Sequence, residues 1–543
     1  MPEFGAFAAP NYFGPNGGDL SVSRPVEVLQ GAFIAIRQQF LAVAHQSERT
    51  LLLGTVLLAS SVSAATGLVL AQYYSVDVLS SLLYPPDDCW VGLPTNIGRH
   101  CFNDYTIMVA GGMRPNPWEP YPILVFSHYV PTHNNYPAAG MIPHVVFGLL
   151  GKWLGAPRLG LLGYLFVLTI ACLTPAVWAA RGARGLERLV VFAACGVAAV
   201  PAWIAIDRGN SVGFIVPIAL AFLVALCRQR WGLVAVMVVL AALVKPQFAL
   251  LAVALLAARQ WRLGWIAVVG AVLSNLAAYL LWPRDFPGTI VQSIQGTLGY
   301  GNFESQTDIG NISFGRALLM IPDTVKISQT GGEIPDGFLA GPRSLIGYGI
   351  LVVVVVCVLA LGRRIPPVMV GIVLLAAVSL SPAVTHTYYL VFVLPVAALV
   401  VRGPDGPPGS GIFDRLAALG DHRRVVGICV SLAAALSIVQ IAVPILKTQV
   451  GTGEPGVLGI VRFAPLISTT AVLTPFLWLI ACAAIIISYA RRPVPGTSVD
   501  ASTTCASHEP NRQPPSPLHV DAQDHDHAAV SGGRQPGEQA VHE

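Results

Sequence analysis

Six polar residues stand out from the apolar chain around them: Asp104, Tyr136, Arg208, Asn210, Lys245 and His386. A single carboxylate can take a proton from an attacking hydroxyl. Two cations and a histidine can hold a phosphate as it leaves. Lys245 carries the strongest functional expectation, because an ionisable residue inside a membrane segment is costly and marks a site by default. Arg208 belongs to Asp207-Arg208-Gly209-Asn210, which interrupts a long apolar run. This reads as a tight turn with Gly209 at positive φ and Asp207 pairing Arg208, or as a turn whose arginine faces a cavity. Asp104 is followed by small and aromatic residues, which suits a polar, ring-shaped ligand. The plainer reading is an ordinary loop with an exposed acid and interfacial aromatics. His386 opens a helix ahead of Tyr388-Tyr389, where a histidine is more often a hydrogen-bonded cap than a catalyst. No second His or Cys lies within a helical turn of it, so metal spacing is absent. No nucleophile elbow points to Ser-His-Asp hydrolysis.

The elements that must position these residues are membrane segments. Arginines gather at Arg181/Arg184/Arg188, Arg228/Arg230, Arg259/Arg262, Arg363/Arg364, Arg402 through Arg424, and Arg491/Arg492. Between them run apolar stretches such as Leu189–Ile206, Ser211–Cys227, Leu345–Leu361 and Leu466–Ala490. Short basic loops stay in the cytoplasm, which leaves the six polar residues on the outer side. The chain is 54% hydrophobic and 11% charged, with mean hydropathy +0.65. Soluble domains are about a quarter charged, so this is an integral membrane composition. The net charge of +4 is a sum over two faces, and dispersed arginines give no nucleic-acid patch.

Parity orders the crossings. Thr50–Tyr74 has Arg24, Arg37 and Arg49 before it and Asp77, Asp87 and Asp88 after it, so it runs outward. Leu159–Ala180 ends at arginines and runs inward. Ala138–Leu154, with Pro143, His144 and Lys152 inside it, is expected to be interfacial or re-entrant. Trp231–Ala258 has basic flanks and a Lys245-Pro246 break, so it dips from the cytoplasm and returns, with Lys245 at its tip. The remaining spans are Gly264–Trp282, Ser344–Leu361, Val368–Leu380, Tyr388–Val401, Val425–Leu446 and Leu466–Ala490. The expected fold is an all-α polytopic bundle of about 11–13 membrane helices, some short, broken or re-entrant.

Residues 1–49 read as a partly disordered cytoplasmic leader, 50–490 as the membrane domain with outer loops 75–137 and 283–343, and 491–543 as a disordered cytoplasmic tail. The first apolar run begins near Thr50 and is expected to act as a signal anchor. His525 and His527 beside Asp524 and Asp526 read as part of a solvated tail, with weak metal binding the rarer reading. Cys89 and Cys101 lie in the first outer loop, where oxidation permits a disulfide between them.

The motifs have an order as well as a composition. Asp104 is followed by Gly111-Gly112, Pro117-Trp118 and Pro120-Tyr121, and Tyr136-Pro137 precedes an apolar run. Gly209-Asn210 lies between two helices, and Leu243-Val244-Lys245-Pro246 leads to Arg259-Gln260-Trp261. Asn311-Ile312-Ser313 follows, then Ser381-Pro382, His386 and Tyr388-Tyr389. Over roughly Thr50 to Val401 this series resembles glycosyltransferase family 87, polytopic GT-C enzymes common in actinobacteria that use polyprenyl-phosphate sugars. Ala138 replaces the family's second proline after Tyr136, and the histidine is displaced by about one position. The resemblance implies an inverting transfer of arabinofuranose or mannose to a cell-envelope glycan or glycolipid. It implies Asp104 as the base, and Tyr136, Arg208, Asn210, Lys245 and His386 as substrate-binding residues. No cofactor is expected, and no residue is assigned to a metal. The implied partners are a polyprenyl-phosphate sugar donor and a lipid-linked or polysaccharide acceptor. The protein is then a multi-pass plasma-membrane enzyme with cytoplasmic termini and a periplasmic active site. A transporter or lipid flippase is the alternative from another class, since helix breaks and buried charge serve transport too.

Overall fold

The computed structural model describes residues 46–74, 102–125, 128–298, 303–308, 310–331, 334–444, 448–451, 460–463 and 466–491. All belong to one compact unit, Met1–Pro493. Cys89 and Cys101, and the leader and tail outside these ranges, lie outside the described residues.

The protein is an all-α membrane protein. Among the described residues, five helices are long and apolar enough to cross a bilayer alone, and a sixth span forms if the bent pair Gly185–Val197 and Val200–Arg208 is joined. Six shorter apolar helices of 10–17 residues accompany them: Ser211–Cys227, Trp231–Val244, Pro246–Ala257, Pro367–Leu380, Thr387–Val401 and Arg424–Ile438. Helix Pro157–Ala180 starts with Pro157, which has no N–H to waste in a first turn. Pro246 and Pro367 open later helical segments the same way, and Pro201 takes the second position of Val200–Arg208. The helices Pro367–Leu380 and Val393–Val401 are almost wholly buried and form the centre of the apolar core. Glu48–Tyr74, Trp261–Ala278 and Ala340–Leu361 expose apolar faces such as Leu68, Ile266 and Val353. An exposed apolar face of that kind matches a lipid surround.

Two segments depart from the sequence reading. Helix Arg424–Ile438 stops before Leu446, because Val439 turns extended and the chain enters a ribbon, Ala442–Pro444 against Leu466–Ser468. Pro444 disfavours a helical conformation at the residue before it, which agrees with that ending. Leu189–Ile206 is a helix, a π-helical turn at Ala193–Val197 and a second helix, bent by 48°. Two further ribbons pair Tyr121–Val125 with His128–Thr132 and Thr448–Gly451 with Ile460–Phe463.

The segment expected to form the second outer loop contains the helices Gly288–Leu298, Phe303–Thr307, Phe314–Leu318 and Met320–Thr330 ahead of the span Ala340–Leu361. Asp323 and Arg343 join two of these elements in a buried pair.

Candidate active site

Asp104 occupies the first turn of the short helix Asn103–Gly112. An acidic side chain is favoured there by the helix dipole. Two glycines let this helix lie close on Ala138–Trp153: a Cβ on Gly112 would collide with Val145, and one on Gly148 would come 2.6 Å from Val109. Three donors meet the carboxylate. Arg208 Nε donates to Oδ2 at 3.0 Å and Nη2 to Oδ1 at 3.4 Å, while Asn210 Nδ2 donates to Oδ2 at 2.7 Å. The Asp104 side chain keeps 15% of its surface exposed. Burial pushes its carboxyl up to about 6, opposed by the Asn210 hydrogen bond and the charge of Lys245.

The turn predicted at Asp207–Asn210 forms, with Gly209 at φ 65° ending helix Val200–Arg208. Gly209 N–H donates to Ile206 O and Asn210 N–H to Ala205 O, the paired bonds of a left-handed helix C-cap. Only glycine fits, since a Cβ would stand 2.7 Å from Tyr105 Cβ. Beyond the turn, Asn210 is fully engaged. Its Oδ1 accepts from Val212 N–H, and its two amide hydrogens serve Asp104 and the Tyr136 hydroxyl, the latter at 2.9 Å.

Lys245 lies at the break between Trp231–Val244 and Pro246–Ala252, its backbone extended as the residue before a proline prefers. Its Nζ sits 3.5 Å from the centroid of the Tyr136 ring, a cation–π contact. Tyr136 is held from behind. Trp118 Nε1 donates to the Tyr136 carbonyl at 2.9 Å, and Tyr136 N–H donates to Asn134 Oδ1. Trp118 is 1% exposed and packs on Tyr279 and Trp282. The loop after Asp104 is therefore not an ordinary surface loop with interfacial aromatics. Its tryptophan is a buried support for the site.

His386 begins the helical segment Thr387–Phe392, without capping it through its side chain. Its ring stacks 5.3 Å from that of Tyr388, which lies 5.2 Å from the Arg208 guanidinium carbon. The loop carrying His386 is clamped by Asn311. Asn311 Nδ2 donates to Ala383 O at 2.8 Å, and its Oδ1 accepts from Thr385 N–H at 3.0 Å. All six sequence-selected residues thus meet in one cluster, with His386 joining through Tyr388. Three of them share a backbone role, since Asn210, Lys245 and His386 each precede a 3-10 turn that opens a broken segment. Sequence reasoning did not select His144 and Tyr164, which bind the Gly209 carbonyl from below. A polar residue inside each of two apolar helices was the available signal.

No protein-family model matches this chain, and no curated protein matches it.

Proposed function

We propose that the protein is a membrane glycosyltransferase of the GT-C type. In this reading it moves an arabinofuranosyl or mannosyl group from a polyprenyl-phosphate donor to a cell-envelope glycan or glycolipid on the outer face. The observation that carries it is one partly exposed carboxylate, Asp104, held by a cation and an amide beside three helix breaks. The acceptor hydroxyl forms a bond to the anomeric carbon while the bond from that carbon to the phosphate oxygen breaks. Polyprenyl phosphate leaves with the electron pair, the configuration inverts, and Asp104 takes the hydroxyl proton. Three donors on two carboxylate oxygens leave acceptor capacity for that proton.

Arg208 and Lys245 supply positive charge for the leaving phosphate. The helical segments starting after Asn210, Lys245 and His386 add the positive ends of their dipoles. Such ends also serve anionic substrates in transporters, so they do not separate the two classes. The distribution of ion pairs favours a transferase. Among the described residues they fall into a group around Asp104 and the outer loops and a group among the arginine loops. A group confined to one face suits chemistry there. We place the protein in the plasma membrane with both termini cytoplasmic and the site on the outer side, as a bundle of about 11–13 membrane helices.

The test is direct. Membranes containing the protein are incubated with labelled polyprenyl-phosphate arabinose or mannose and a panel of envelope acceptors. Label in a glycan product that disappears with Asp104→Asn supports the reading. Movement of an intact lipid-linked sugar between leaflets, with no transfer, supports a flippase instead.

A further inference from the structure

The peptide between Gly209 and Asn210 is gripped at both ends. Its N–H is used by Ala205 O within the helix C-cap. Its carbonyl accepts from the Tyr164 hydroxyl at 3.0 Å and lies 3.1 Å from His144 Nε2. With the proton on Nε2 this second contact is a hydrogen bond as well, since a carbonyl can only accept. His144 and Tyr164 also meet each other, Nε2 to hydroxyl at 3.0 Å, with their rings stacked 4.9 Å apart. Both side chains are wholly buried. They come from the helices Ala138–Trp153 and Pro157–Ala180, neither of which contributes a group touching Asp104 by hydrogen bond.

We propose that His144 and Tyr164 are positioning residues for Asp104, fixing the Gly209 carbonyl so that Asn210 and Arg208 donate to the carboxylate. The inference rests on the reading of Asp104 as the proton acceptor. The physical link is short. Arg208 precedes this peptide and Asn210 follows it, so a rotation of the Gly209–Asn210 plane moves both donors at once. Asn210 cannot compensate, because its other amide hydrogen and its oxygen are engaged by Tyr136 and Val212. Tyr164→Phe removes one of the two bonds without opening a cavity. His144→Leu removes the other, and His144→Gln keeps a donor near the Nε2 position.

The groups facing Asp104 are Arg208 and Asn210 from the turn, Lys245 from the broken span, and the Tyr136 and Tyr164 hydroxyls. Only the hydrogen bonds from the turn depend on the grip. Their loss weakens the stabilisation of the charged carboxylate, so its titration moves upward.

The experiment follows the Asp104 carboxyl stretch by infrared titration of the full-length protein in detergent. The band is assigned by its absence in Asp104→Asn. The expected result is a midpoint raised by at least about half a pH unit in the His144→Leu/Tyr164→Phe protein. Tyr164→Phe alone gives a smaller rise, and His144→Gln gives back most of what His144→Leu loses. In the transfer assay the acid limb of kcat moves with the band while the donor KM changes less. A folded double variant whose Asp104 titrates as in the wild type overturns the proposal, and so does a His144→Gln protein no better than His144→Leu. The infrared readout needs no substrate. A shifted band in a protein that transfers no sugar would keep the positioning role and reject the transferase reading; transfer with an unmoved band would do the reverse.

Discussion

Asp104→Asn keeps the shape of the side chain and removes its ability to take a proton at neutral pH. A general base is worth about 10²- to 10⁴-fold, so transfer falls by that factor while donor binding and thermal stability change little. Transfer within a few-fold of wild type would remove Asp104 from the mechanism and turn attention to Glu119, Asp207 and Asp308. The pH profile carries the same information. The carboxyl titrates at about 6 in the folded protein, above its ordinary 3.8, because burial disfavours the charge. Only the deprotonated form accepts a proton, so the rate is near its plateau above that value and falls about tenfold per unit below it. The residual rate of Asp104→Asn should lack this limb. Gly209 offers a test of geometry without any change of charge. Gly209→Ala must adopt φ near 65° and place its Cβ 2.7 Å from Tyr105 Cβ. The left-handed conformation alone costs an alanine about 1–2 kcal/mol. A lowered melting temperature and loss of transfer are expected together, and a variant matching wild type in both would show that the turn tolerates a side chain.

The helices Met320–Thr330 and Ala340–Leu361 hold the site from the side. Arg343 Nη2 and Nη1 reach the two oxygens of Asp323 at 2.6 and 3.0 Å, with both side chains at most 2% exposed. The pair ties helix Met320–Thr330 to the first turn of Ala340–Leu361. That second helix packs directly on the start of the His386 loop, where a Cβ on Gly347 would collide with the Ser381 carbonyl. Asp323→Leu leaves the arginine charge buried without that carboxylate, at a cost of about 3–5 kcal/mol. The double change Asp323→Leu/Arg343→Met removes both charges and should recover much of that loss. Unfolding of detergent-solubilised protein measures it. Additive losses from the two single changes would show that the residues act independently.

One helix relates the two faces of the molecule. On Pro157–Ala180, Tyr164 binds the turn below Asp104, and Trp178 lies under the Arg402 guanidinium and accepts its hydrogen bond through the backbone. Fourteen residues of helix separate them, about 21 Å at 1.5 Å per residue. The site and the arginine loops are thus held most of a hydrocarbon thickness apart. Single cysteines in a cysteine-free background test which side is which. Cysteines at the exposed positions Gly288 and Gln329 should react with an impermeant reagent added to intact cells, and cysteines at Arg184 and Gln229 should be protected. Labelling of Arg184→Cys or Gln229→Cys from outside would reverse the orientation.

The membrane character, the break at Lys245-Pro246 and the turn at Gly209 were all legible in the chain, because hydropathy, proline and glycine act on their own neighbourhood. The candidate residues were legible for a related reason: a polar group in an apolar segment has to be compensated, wherever its partner lies. The partners themselves were not legible. Asp104 and Arg208 are 104 residues apart, and Asn311 finds Ala383 at a separation of 72. Nothing in local composition distinguishes Trp118 as a buried prop from an interfacial tryptophan, or His144 and Tyr164 as a grip on Gly209 from two polar residues that merely interrupt apolar helices. Which donor faces which acceptor depends on how whole helices pack, and close approaches at Gly112, Gly148 and Gly347 govern that packing. The chain therefore determined where its helices break and which side groups must be paired, while tertiary packing alone decided that those groups meet at one carboxylate.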